Sequence, residues 1–133
     1  MISFEVIGTP VPKGSMRGFV VGKRAVVTHN SKKTKPWQQQ IAQLAAANSL
    51  DLLIEGPVCV RLIFRVPRPK TVPKVRNGLP AAKPDIDKLA RPVLDACTGT
   101  IWKDDSQVVS LRASKVYATD EVPPGVLVEV VEQ

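Results

Sequence analysis

At 133 residues the chain has room for one hydrophobic core, read here as a single domain over residues 1–133. A hydrophobic fraction of 44% excludes a disordered chain, and the absence of any apolar run near the roughly 20 residues needed to span a bilayer excludes a membrane segment. The net charge of +7 is unevenly spread, and its distribution is more informative than its size.

The first strand is marked by Ile2, Phe4 and Val6 alternating with Ser3, Glu5 and Ile7. The run from Gly8 to Gly14 breaks regularity, because Pro10 and Pro12 lack a backbone donor. Phe19–Val21 and Ala25–Val27 flank Gly22-Lys23-Arg24, a short hairpin or a basic loop. Pro36 is read as the first residue of a helix ending near Asn48-Ser49, with Trp37, Ile41, Leu44 and Ala45 on one face. Trp37 in register with Ile41 and Leu44 reads as core, although a base-stacking role has the same spacing. Residues 57–67 give the clearest strand: Val58, Val60, Leu62, Phe64 and Val66 face one way, and Cys59, Arg61, Ile63 and Arg65 the other.

Residues 67–84 carry five prolines together with Arg68, Lys70, Lys74, Arg76 and Lys83, which marks a functional loop and no regular element. A second helix is expected over about 87–97, with Asp87 as its N-cap and Gly99 ending it. Pro92 lies past its first turn and predicts a late start or a kink. Val108 to Val116 and Val126 to Val131 are two further strands joined near Pro123-Pro124-Gly125. The order predicts an α+β domain in two layers, a mixed and mostly antiparallel sheet with two main helices.

Cys59 and Cys97 lie in no CxxC or Cys/His cluster, and His29 is remote from both, which argues against structural zinc and a disulfide framework. With no signal peptide at the N-terminus, a cytoplasmic protein is expected.

Residues 1–36 hold seven Lys/Arg against Glu5, and residues 56–84 hold seven against no acid. Residues 85–105 reverse the balance, with Asp85, Asp87, Asp95, Asp104 and Asp105 against Lys88, Arg91 and Lys103. Basic flanks suit a polyanion and supply salt-dependent affinity. In an extended segment Asp85 and Asp87 point to the same side, and a loop can return Asp104-Asp105 over the helix start. Two carboxylates about 5 Å apart repel by roughly 3 kcal/mol at an effective dielectric near 20, so three in one pocket would either have raised pKa values or demand a counter-cation. Hard oxygen ligands favour Mg²⁺ or Mn²⁺. Each half alone also fits a bland reading, helix capping for one and a solvated turn for the other.

The longer string is more specific. Lys83-Pro84-Asp85-Ile86-Asp87-Lys88-Leu89, then Val93-Leu94-Asp95-Ala96, then Trp102 to Val109 with Asp104-Asp105-Ser106-Gln107-Val108, closely resembles the core of RusA-family Holliday-junction resolvases over 27 residues, 83–109. The resemblance implies a homodimeric, divalent-metal-dependent endonuclease that makes paired symmetric nicks in four-way DNA junctions. It also implies that Asp85, Asp87 and Asp105 bind the metal, with Asp104 a weaker member. Arg91 stands where better-known members carry Lys, and it can stabilise charge but not shuttle a proton. Lys88 stands where many have Asn. The 67–84 loop is longer than in compact members, and a phage or bacterial source fits the family. Asp95 is expected to make a structural contact, and Gln107 to fix the loop.

Lys13, Arg17, Lys23, Arg24, Arg65, Arg68, Lys70 and Lys88 are the expected DNA contacts. The rival readings are a metal nuclease for flaps or other branched DNA, and a non-catalytic basic DNA-binding module.

Overall fold

A computed structural model describes residues 1–14, 17–21, 24–28, 32–72 and 78–133. Strands β1 (Ile2–Ile7), β4 (Val58–Val66), β5 (Val108–Tyr117) and β6 (Gly125–Glu132) form one sheet in the order β1-β6-β4-β5. Strands β2 (Arg17–Val21) and β3 (Arg24–Thr28) pair separately as an antiparallel hairpin, with Val21 opposite Arg24. This is the hairpin alternative for that segment; Gly22 and Lys23 lie outside the described residues. Within the main sheet β1–β6 and β6–β4 are antiparallel and β4–β5 is parallel. The architecture is therefore the expected α+β one, mixed and mostly antiparallel.

Helices α1 (Thr34–Asn48) and α2 (Ile86–Cys97) pack on each other and on the sheet. The face they cover is the one expected from the period-two pattern. Ile2, Phe4 and Val6, the even-numbered residues Val58 to Val66, and Val126, Val128 and Val130 are all buried. Trp37, Ile41 and Ala45 of α1 and Leu89, Val93, Ala96 and Cys97 of α2 close the core from above. Trp37 is thus a core residue. α2 lies in the crossover that makes β4 and β5 parallel, so the acidic segments stand at the two ends of that crossover helix.

Three local expectations are corrected. α1 begins at Thr34, two residues before Pro36, and Pro36 still falls in the first turn where its missing N–H is harmless. α2 begins one residue earlier than expected, so Asp85 takes the N-cap position and Asp87 lies in the first turn. The late start does not occur, and α2 runs unbroken through Pro92, where the backbone group left over by this proline finds another partner. Pro92 cannot donate to the carbonyl of Lys88, and that oxygen accepts instead from the backbone N–H of Lys13 at 2.9 Å. The Gly/Pro segment before the hairpin thereby closes the helix's one gap. Beyond Cys97 the chain turns at Gly99, whose φ of 85° is readily adopted only by glycine.

Candidate carboxylate site

The acids of the motif stand at the two ends of α2, and the chain treats them differently. At the C-terminal end, Asp105 opens a short 3-10 turn, Asp105–Gln107, just after the helix cap Thr98. Its Oδ1 accepts from the Thr98 hydroxyl and from the Trp102 indole N–H at 3.3 Å. Trp102 is fully buried and donates to Thr98 as well, at 3.1 Å, so the carboxylate rests on a rigid platform. The charge reaches inward: the Cys97 thiol is pushed up to about 12, chiefly by burial and secondly by Asp105.

Asp104 does a different job. Its Oδ1 accepts from the Ser106 N–H at 2.8 Å and caps the turn, and this backbone bond, with a second from the Ser106 side chain, holds its carboxyl below the usual range. The capping box is completed by Gln107, whose Oε1 accepts from the N–H groups of Lys103 (2.9 Å) and Asp104 (2.8 Å). Its Nε2 donates to the carbonyls of Ile54 (2.8 Å) and Gly56 (2.9 Å), tying the turn to the segment before β4. The expected loop-fixing role of Gln107 is therefore observed. So is a structural contact for Asp95, whose Oδ2 pairs with the Lys13 amine at 2.9 Å.

At the N-terminal end, Asp85 and Asp87 are exposed. Lys88 lies 3.4 Å from Asp85, a surface pair that contributes little. The segment leading into them is held from the sheet. Lys115 of β5 donates from Nζ to the carbonyls of Ala82 and Pro84, both at 2.9 Å. Arg91 is exposed on the following turn.

The expectation that all three carboxylates share one pocket within the chain is not met. α2 is 12 residues long, so at roughly 1.5 Å per residue its ends lie about 18 Å apart. The sheet repeats the distance: β5 starts three residues after Asp105, and Lys115, which grips Pro84, lies seven residues further, about 23 Å along a strand. Among the described residues no group of three or more His, Cys, Asp or Glu side chains could hold a metal ion. Three hard carboxylate donors suit a divalent cation in chemistry, but in one chain their positions do not.

The expected DNA contacts divide as well. Arg65 is corrected: it is 8% exposed, pairs with Glu5 at 2.5 Å, and donates from Nε to the Pro123 carbonyl at 2.8 Å. Gly125 on β6 lies opposite Arg65, and a Cβ there would come within 2.8 Å of the guanidinium, so the missing side chain opens the way across to Glu5. Lys13 is engaged by Asp95, while Arg68 stacks 5.3 Å from the centre of the Tyr117 ring. Lys70 is exposed and Lys88 half-buried; Arg17 and Arg24 begin β2 and β3. Beside the Asp105 end, a groove between α1 and α2 is lined by Lys35, Gln38, Gln39, Thr98 and Thr100. Sequence reasoning missed Thr98, Trp102 and Lys115. The first two were within reach, seven and three residues before Asp105, whereas Lys115 acts through a strand contact that no motif encodes.

With the geometry in view, comparison with known proteins identifies the class. The family model described as Endodeoxyribonuclease RusA matches residues 8–131, which takes in both acidic segments. The chain belongs to the RusA endodeoxyribonuclease family, a family of nucleases. It is also 36% identical over 128 residues to the uncharacterised protein YqaN of Bacillus subtilis (strain 168), covering 90% of this chain and 89% of that one. No described helix is long and apolar enough to cross a membrane.

Proposed function

We propose that this protein is a divalent-metal-dependent endonuclease that resolves four-way DNA junctions by paired symmetric nicks, acting as a homodimer. The observation that carries the reading is the family match, which spans both acidic segments. The residues that would hold Mg²⁺ or Mn²⁺ are Asp85, Asp87 and Asp105, with Asp104 shaping the turn beside them. Bound there, the cation would activate water and stabilise the leaving oxygen of a phosphodiester.

The spacing along α2 adds a condition. Carboxylates at opposite ends of a helix about 18 Å long cannot share an ion whose oxygen ligands lie near 2.1 Å. On this reading the Asp85–Asp87 pair of one protomer and Asp105 of its partner complete each site, which gives the dimer two sites for the two opposed strands of a junction. Lys70 and Arg91, both exposed, and Lys88, half-buried and paired with Asp85 at the surface, are proposed to meet phosphates; Arg91 can offset charge that develops during cleavage. Arg17, Lys23 and Arg24 of the hairpin segment and Arg68 are further proposed contacts.

The test is a synthetic four-way junction incubated with wild type and Asp105→Asn, with Mg²⁺ and with chelator, alongside a flap and a plain duplex. Wild type should nick two opposed strands of the junction only with metal, and Asp105→Asn should lose about a hundredfold or more of the rate. Cleavage that survives chelation, or that is equal on plain duplex, rules the reading out.

A further inference from the structure

The groove beside Asp105 lies between the first turns of α1 and the C-terminal end of α2, and its volume is about 510 Å³. That is the size of a site for one small ligand, and a DNA duplex does not enter it. Small residues keep it open: Ala42 from α1, and Ala96 and Gly99 at the end of α2.

Its polar groups fall into two sets. Most are already bonded within the chain. The Thr34 hydroxyl donates to the Pro12 carbonyl at 3.0 Å, the Thr100 hydroxyl donates to the Ala96 carbonyl at 2.7 Å, and the Lys13 amine is paired with Asp95. Gln38 and Gln39 differ: among the described residues neither side chain has a hydrogen-bond partner. The next residue shows the other use of such an amide, since Gln40 donates to the Ile7 carbonyl at 2.8 Å and ties α1 to β1. Gln38 is also half-buried, so its amide has given up part of its water without gaining a bond from the protein.

Two neighbouring amides, each with a carbonyl acceptor and two N–H donors, match the edge of a nucleobase, where donors and acceptors alternate in one plane. Lys35, exposed and lining the same groove, supplies positive charge for the phosphate that accompanies a base. Position agrees with this chemistry. Thr98 lines the groove, and its hydroxyl donates to the Asp105 carboxylate. A strand with a phosphate at Asp105 therefore brings its neighbouring nucleotide to the groove. At a branch point the stack is interrupted, so turning a base out costs less than it does inside a continuous duplex.

We propose that the groove between α1 and α2 takes one unstacked nucleobase of the bound DNA, next to the phosphate at Asp105, and that Gln38 and Gln39 read its edge. These two glutamines are then specificity-determining residues of the nuclease. The placement beside the reacting phosphate rests on the proposed reading of Asp105; the base site itself does not.

The test is a binding measurement, fluorescence anisotropy in chelator, on four-way junctions carrying a single abasic nucleotide at each position around the branch point in turn. For the wild type, removing the base should weaken binding about tenfold at one position and hardly at all elsewhere. Gln38→Ala combined with Gln39→Ala removes only the amides and installs the strongest helix former, so the fold is kept. This double variant should bind the intact junction about tenfold more weakly than the wild type, with no further loss at that position. A flat scan in the wild type, or a drop that the double variant retains, overturns the proposal. If the drop is found but neither Mg²⁺ nor Asp105→Asn alters nicking of the same junction, the base site stands and the metal-nuclease reading fails.

Discussion

The two ends of α2 carry the same chemistry on different supports. At the C-terminal end, Asp105 rests on Thr98 and a buried Trp102, and the adjoining turn is bound by four hydrogen bonds from the Gln107 side chain alone. At the N-terminal end, Asp85 at the N-cap and Asp87 in the first turn are exposed, and the segment before them is held through two carbonyls by one lysine. One half of the carboxylate set is built in advance; the other is presented for use. A rigid acid contributed by one protomer and a more adaptable pair from its partner would let the site close on metal and DNA together, with most of the ordering cost met at the Asp105 end before binding.

The largest effect expected from this contrast is a rescue. A chain with Asp85→Asn and Asp87→Asn, and a second chain with Asp105→Asn, should each be inactive as homodimers. Mixed and allowed to exchange, they form heterodimers in which one site gathers every substitution and the other gathers none. With random pairing about half the dimers are mixed and each has one sound site, so nicking should return to about a quarter of the wild-type level. Mn²⁺ binding followed by electron paramagnetic resonance should recover in step. A mixture as inactive as its components would mean that the acids do not combine across protomers.

Gln107→Ala strikes at the prebuilt end. It leaves two carbonyls and two N–H groups without their partner, at about 1 kcal/mol for each bond not replaced by water. A loss of about 2–4 kcal/mol is expected, a fall in Tm on the order of 10 °C, measured by calorimetry. Lys115→Met strikes at the other end, where the amine is partly solvated. It should cost less than about 1 kcal/mol of stability and weaken metal affinity about tenfold, through the segment that delivers Asp85. Reversal of that order in stability would remove the contrast between the ends.

How much of this was legible in the sequence depends on the range of the interaction. Period-two alternation located β1, β4, β5 and β6 because each has one face turned to the core, and helical spacing marked Trp37 as buried. The acids and the bonds from Gln107 to Lys103 and Asp104 were legible because their spacing is local, whereas its bonds to Ile54 and Gly56 join distant parts of the chain. Arg65 was misread since alternation identifies the face away from the helices but not what covers it; Glu5 and Pro123 do so across the gap at Gly125. Pro92 looked disruptive because the N–H that repairs its turn comes from Lys13, far back in the chain. The acids seemed able to share one pocket because the loop after Gly99 was expected to return over the helix start. In the fold it runs directly into β5, so Asp105 stays at the helix end where α2 leaves it.

The smallest effect lies in the alkaline range, and it reads the charge at the prebuilt end directly. The Cys97 thiol is raised from 9.0 to about 12, first by burial and then by Asp105. A group whose pKa is raised in the folded state contributes stability that is complete below its unfolded value. That contribution is lost as pH climbs through the folded one, so the fold should weaken between about pH 9 and pH 12 through this group and stay indifferent to it at neutrality. Cys97→Ala should flatten the alkaline part of the stability curve, offset by some loss of packing at every pH. Asp105→Asn removes the second cause and leaves the first, so it should bring the thiol's ionisation down only partway, followed by thiolate absorbance or by alkylation rate against pH. An ionisation unmoved by Asp105→Asn would place the carboxylate away from the helix end, and with it the platform of Thr98 and Trp102 on which the comparison of the two ends depends.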